Sequence, residues 1–135
     1  MIPEIAEAIT QKYQSNTNFK NALTGGLYFL RAPQEQTGSY CIFGFEGFTQ
    51  TPIMGVSTNN IINVDLRFDI FTDATDGGET LASLVGLLSD CYNEQRIYCS
   101  GYNDLIINDE NILPLDEIDG IWQTRVTYNL IIQKE

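Results

Sequence analysis

A chain of 135 residues, 43% hydrophobic and 19% charged, has the size and composition of one globular domain spanning 1–135, enough to take roughly two-thirds of its unfolded surface out of water. Eighteen acidic against seven basic residues leave a net charge of −11, which argues against binding nucleic acid through its phosphates, while the lack of histidine removes the commonest general base and every histidine-dependent triad or zinc site. No apolar run approaches the roughly 20 residues of a membrane span, and Met1-Ile2-Pro3-Glu4 has neither the basic nor the apolar region of a signal peptide, so a cytosolic setting is expected.

The first predicted element is a helix from Pro3 to Gln14. Proline suits a first helical position, Glu4 and Glu7 lie near the positive helix end, and Ile5, Ile9 and Tyr13 share one stripe. Ser15-Asn16-Thr17-Asn18 interrupts it, Phe19 to Leu23 makes another short turn, and Thr24-Gly25-Gly26 ends that turn before a first strand over Leu27 to Arg31. Pro33 and the polar stretch Gln34 to Gly38 form a loop. Ser39 to Phe48, dense in aromatic and β-branched residues, predicts a second strand bent or bulged at Gly44 or Gly47. Thr49 to Asn59, with Pro52 and Gly55 among Ser, Thr and Asn, lacks the pattern of a core element; it reads as a long hairpin tip or a mobile loop and is the best candidate for a surface arm.

Ile62, Val64, Leu66, Phe68 and Ile70 alternate with Asn63, Asp65, Arg67 and Asp69 at a period of two, the mark of a strand with one core face and one wet face. Asp73 to Gly78 supplies capping residues for a helix through Leu81, Leu84, Val85, Leu88, Cys91 and Tyr92 that ends near Asn93. Extended stretches follow at Ile97 to Tyr102 and at Leu105 to Asn108, continuing near Ile112 to Leu115. Asp119-Gly120 then makes a hairpin turn into a last strand with Trp122, Val126, Tyr128, Leu130 and Ile132 inward, broken there only by Thr124. Runs of strands rather than regular alternation of strand and helix predict an α+β fold, with a single antiparallel β-sheet and an N-terminal and a central helix packed on its Phe68 and Trp122 face.

Candidate chemistry is sparse. Cys41, Cys91 and Cys99 form no metal spacing and read as reduced, buried thiols. The acidic stretch Asp104, Asp109, Glu110, Asp116, Glu117 and Asp119 has the oxygen ligands of a cation site without the spacing of a calcium loop, and a solvated loop is expected instead. Asp65 and Asp69 flank Arg67 on the wet face, with Arg125 as a cross-strand partner. Such a set is either a carboxylate pair around a substrate or, as expected here, a charged sheet surface or interface. Gly25-Gly26 and Gly77-Gly78 lack the full phosphate-binding fingerprint, so turns and caps account for them. Tyr40, Phe43, Phe45 and Phe48 have too few cations around them to be a base-stacking platform and are expected to pack.

Taken in order, several landmarks resemble the phage tail-terminator or neck (head-tail joining) protein family. They are the N-terminal amphipathic helix, Leu27-Tyr28-Phe29-Leu30-Arg31-Ala32-Pro33, the aromatic Tyr40 to Phe48 and the strand ending in Phe71-Thr72-Asp73. The Leu81 to Tyr92 helix and Asp119-Gly120-Ile121-Trp122-Gln123 complete the set. The likeness spans nearly the whole chain and rests on layout and short strings, with no catalytic motif. It implies a structural virion protein without cofactor, metal or catalytic residues. Such a protein assembles with itself into a ring, commonly of six copies, that caps the tail tube and joins it to the head-side connector. DNA then passes through the channel without specific binding. The implied partners are the tail tube protein and the connector or adaptor proteins, and the implied location is the virion neck, with assembly in the host cytoplasm. By segment, the resemblance makes Pro52, Met54 and Val56 candidate contacts in the arm, and Asp65, Arg67, Asp69 and Arg125 candidate contacts on the sheet face. The long polar region Asn103 to Asp119 departs from the family pattern. An acidic ring would repel DNA, which independently suits a conduit. The competing readings are a head-completion adaptor on the portal side and a small α+β enzyme or small-molecule binder using Tyr, Asp or Glu.

Overall fold

The periodicities translate directly into elements. The computed structural model describes residues 2–32, 38–53, 56–103 and 105–133, with 50–53 and 56–60 described as backbone alone. Helix α1 (Ile2–Ser15) buries Ile5, Ala8, Ile9 and Tyr13 on one stripe. Helix α2 (Thr17–Ala22) is capped by Asn16, whose side chain accepts from the Phe19 amide at 3.0 Å, so the polar interruption seen in sequence is the start of a second helix. Helix α3 (Glu79–Tyr92) begins after Gly78. There φ is +91° and a Cβ would come within 3.2 Å of the Trp122 ring, so glycine serves both the turn and the close packing on the indole. Of the predicted capping residues, Asp76 accepts from the Thr80 amide and hydroxyl; these bonds lower its carboxyl pKa.

The strands are β1 (Gly26–Phe29), β2 (Tyr40–Ile53), β3 (Val56–Thr72), β4 (Arg96–Ile97), β5 (Leu105–Ile112), β6 (Asp116–Ile118) and β7 (Ile121–Gln133). They form one sheet in the order β1-β2-β3-β7-β5-β4, and β6 pairs with β7 beyond the end of β5. The α+β class stands, but the sheet is larger than expected and mixed, because β1 runs parallel to β2. The physical reason is length. A four-residue strand is only about 13 Å long, and ten residues separate Phe29 from Tyr40, so their reach allows β2 to start alongside β1 in the same direction.

Of the two readings of Thr49 to Asn59, the hairpin tip is the one the structure has: β2 and β3 remain paired from Thr49↔Asn63 to Ile53↔Val56, with a register shift after Pro52. Two further expectations change. Ile97 to Tyr102 is a strand only at its first residue, paired with Leu105. The acidic stretch contains strand in place of a solvated loop, since β5 runs through Asp109 and Glu110 as a bulge between Asn108 and Asn111, and Asp116 and Glu117 lie in β6. The Asp119-Gly120 turn has φ of +52° and +81°, the pair of positive values that a two-residue hairpin of this hand requires.

The core lies between the three helices and one face of the sheet. Its centre is Phe68, stacked on Tyr92 at 4.8 Å, edge-on to Tyr128 at 6.0 Å and beside Phe43. Each such aromatic pair is worth about 1 kcal/mol beyond the area it buries. The Tyr92 hydroxyl donates to the Ile9 carbonyl at 2.7 Å, tying α3 to α1 through the middle of the core. Cys41, Cys91 and Cys99 are free and buried, as expected.

Candidate functional site

With every helix on the Phe68 side, the opposite face of the sheet is open. Strand alternation places Asp65, Arg67 and Asp69 of β3 there, opposite Asn129, Thr127 and Arg125 of β7. Four side chains form a closed ion cluster. Arg125 Nε lies 2.8 Å from Asp69 Oδ1, and Arg67 Nε lies 3.2 Å from Asp69 Oδ2 but is not aligned to donate to it. Arg67 Nη1 and Arg125 Nη1 both reach Glu46 Oε1 at 3.4 Å. Gly44 makes room for this: a Cβ there would sit 2.9 Å from Arg67 Nη2, so the guanidinium lies across bare backbone. The Asp69 hydrogen bond raises the Arg125 pKa further, keeping its charge fixed.

Three of the four sheet-face candidates, Arg67, Asp69 and Arg125, are thus brought together. Asp65 makes no ion pair among the described residues; it stands one step along, opposite Gly47 and Asn129. Glu46 was missed, although its signal was present: Tyr40, Ile42, Gly44 and Glu46 alternate onto this face up to the bulge between Phe45 and Gly47. Pro52 and Val56 fall in the paired hairpin tip, and Met54 lies outside the described residues. Both carboxylates of the cluster are shared between two guanidiniums and open to water, so neither is a spare acid or base. The cluster is neutral in sum, which suits recognition by shape and polarity. Among the described residues, no group of three or more Cys, Asp or Glu is arranged to hold a metal ion, and no helix is long and apolar enough to cross a membrane.

Two features flank this cluster at opposite ends of β7. At the Gln133 end a groove of about 460 Å³ has Ile61, Ile106 and Ile131 as an apolar floor, with Arg96, Tyr98 and Tyr102 on its rim. Tyr98 is 70% exposed, and Arg96 makes no ion pair among the described residues. At the Ile121 end, residues 111–121 are all exposed and carry Leu113, Leu115, Ile118 and Ile121 among Asp116, Glu117 and Asp119. This ridge is firmly seated. The Leu113 amide donates to the Arg125 carbonyl at 2.9 Å, and the Thr124 hydroxyl donates to the Leu113 carbonyl at 2.7 Å. Just before it, the Tyr128 hydroxyl donates to Glu110 Oε2 at 2.7 Å. Burial and that carboxylate hold the tyrosine hydroxyl pKa far above its usual value.

No family model and no curated protein matches the chain. Solved structures do. One is a chain from the "virion of native gene transfer agent (GTA) particle", with a TM-score of 0.77 and 14% identity over 98% of this chain and 96% of that one. The two share a fold. A second solved chain has a TM-score of 0.73 and 8% identity over 100% of this chain and 97% of that one. Both likenesses run end to end.

Proposed function

We propose that this chain is a structural virion protein of the bacteriophage tail-terminator or neck type, one 1–135 domain that works by assembly and not by catalysis. The observation that carries the reading is the end-to-end likeness to a chain of a gene transfer agent virion, added to the tail-terminator-like order of landmarks in the sequence. Copies of the chain, six in the simplest case, form a ring at the head-tail junction that caps the tail tube and meets the connector, and DNA passes through without specific contact. A net charge of −11 per subunit makes such a lumen repel DNA and keeps the passage free. The arm candidates Pro52, Met54 and Val56, and the sheet face with Asp65, Arg67, Asp69 and Arg125, are the surfaces assigned to neighbours.

Native mass spectrometry of the protein, alone and with purified tail tubes, tests the ring, and imaging of particles that lack the gene tests its place. A closed oligomer and tails of uncontrolled length are expected. Normal tails with heads that leak DNA would move the protein to the portal-side adaptor role. A chain that stays monomeric and never joins particles would end the structural reading altogether.

A further inference from the structure

We propose that the ridge at residues 113–121 of one copy docks into the Arg96–Tyr98–Tyr102 groove of the next, making the head-to-tail contact that builds the ring. The inference deepens the ring reading above and rests on it for the assembly that the contact closes.

The two surfaces are matched in chemistry. The ridge offers four large apolar side chains, 37% to 52% exposed, interleaved with the carboxylates Asp116, Glu117 and Asp119. Exposed acidic residues alone are an ordinary device for keeping a sheet edge from pairing with strangers. Four large apolar groups among them are not, since they would themselves drive association in water. The groove offers the complement: an isoleucine floor, two tyrosines that present both ring and hydroxyl, and a guanidinium with no carboxylate partner among the described residues. Two of the chain's seven cations are locked in the sheet-face cluster, and Arg96, which makes no ion pair among the described residues, stands beside an apolar floor where an acidic, apolar segment can dock.

Geometry excludes docking within one chain, and the match between two patches of the same molecule makes a second copy the proposed occupant. The ridge is bonded to β7 at Arg125 and the groove begins at Ile131, six residues or about 20 Å further along the strand, so they cannot meet within one chain. Two different, complementary patches on one molecule make a heterologous contact, which propagates from copy to copy and closes when the rotation allows. The ridge is also seated by hydrogen bonds to β7 before any partner arrives, so little ordering cost opposes docking.

The test uses the full chain with Tyr98→Cys and Ile118→Cys together, both sites being exposed, under mild oxidation, as purified protein and in particles carrying the variant. A ladder of cross-linked multimers is expected from the double variant, with no ladder beyond dimer from either single variant. Arg96→Glu should weaken self-association at least tenfold, and adding Asp116→Arg, on the same face of β6 as Ile118, should recover most of that loss. Unchanged circular dichroism and melting would establish that these variants fold. If the wild-type chain assembles but the double variant gives no ladder and the charge reversals leave assembly unchanged, the ridge–groove contact is wrong and the ring stands. If the ridge variants assemble normally and fail only to bind tail tube or connector, the ridge serves another protein and the proposal is overturned. A wild-type chain that never assembles, alone or in particles, removes both the contact and the ring.

Discussion

Cys91 shows how a buried group ties stability to pH in this fold. Its side chain is 1% exposed, and burial pushes its thiol from an ordinary 9.0 up to about 11, against the opposing pull of the Lys12 charge. An unfolded chain therefore releases this proton near 9.0 and the folded chain near 11, so between those values the folded form binds more protons. The stabilisation is fully present below pH 9.0 and is lost as pH rises through about 11. Burial raises the Cys41, Tyr92 and Tyr128 pKa values too, which adds to the same slope. Chemical unfolding followed against pH should show a midpoint that is flat near neutrality and falls steeply in that window, with Cys91→Ala making the fall shallower. In the same terms, all three thiols should resist a chromogenic disulfide in the folded protein at neutral pH and all react in guanidinium. Fast labelling of Cys91 in the native state would contradict the burial argument.

At the scale of elements, Thr124 is the inward position of β7 that breaks the apolar pattern, and the structure gives the break a purpose. Its buried hydroxyl holds the Leu113 carbonyl, just where the chain leaves β5 for β6. Thr124→Val keeps the shape and removes the bond, which should cost about 1 kcal/mol because the freed carbonyl is close enough to the surface to find water. Local rather than global loosening is expected: amide exchange in β6 should speed up while amides of α3 and β3 keep their protection. Uniform acceleration across the chain would mean that the bond supports the core instead. The same residues show what was legible beforehand. The period-two runs around Phe68 and Tyr128 and the helical spacing of Leu81 to Tyr92 express burial on one face, so they identify elements and core without further information. Sheet order and direction depend on how far a connection can reach, which is why β1 was placed in the sheet but not made parallel to β2. The acidic stretch predicts a loop for another reason: residues 111–121 are all exposed, so the polar residues there have no buried face to alternate against. Three of the four members of the ion cluster are legible from the alternation of β3 and β7, and the alternation of Tyr40, Ile42 and Gly44 carries on to the fourth, Glu46, whereas the groove and ridge, which need β3, β4, β5 and β7 brought together, are not legible.

For the whole molecule the governing quantity is charge. Subunits each carrying −11 repel one another over long distances, while the contact proposed between Arg96 and the acidic ridge acts over a few ångströms. These two terms respond to salt on different scales. The screening length is about 30 Å at 0.01 M and about 8 Å at 0.15 M, so adding salt across that range removes repulsion between subunit bodies and leaves a close ion pair largely intact. Near 1 M the length falls to about 3 Å, and the ion pair weakens as well. Self-association of the wild-type chain, measured by sedimentation equilibrium, should therefore strengthen from about 0.01 M to about 0.15 M salt and then decline toward about 1 M. Arg96→Glu removes the short-range attraction and keeps the long-range repulsion, so its weaker association should rise with salt throughout. A wild-type curve that falls from the lowest salt onward would mean that local attraction already outweighs the repulsion of the whole subunit. Identical curves for the two proteins would mean that Arg96 takes no part in the contact.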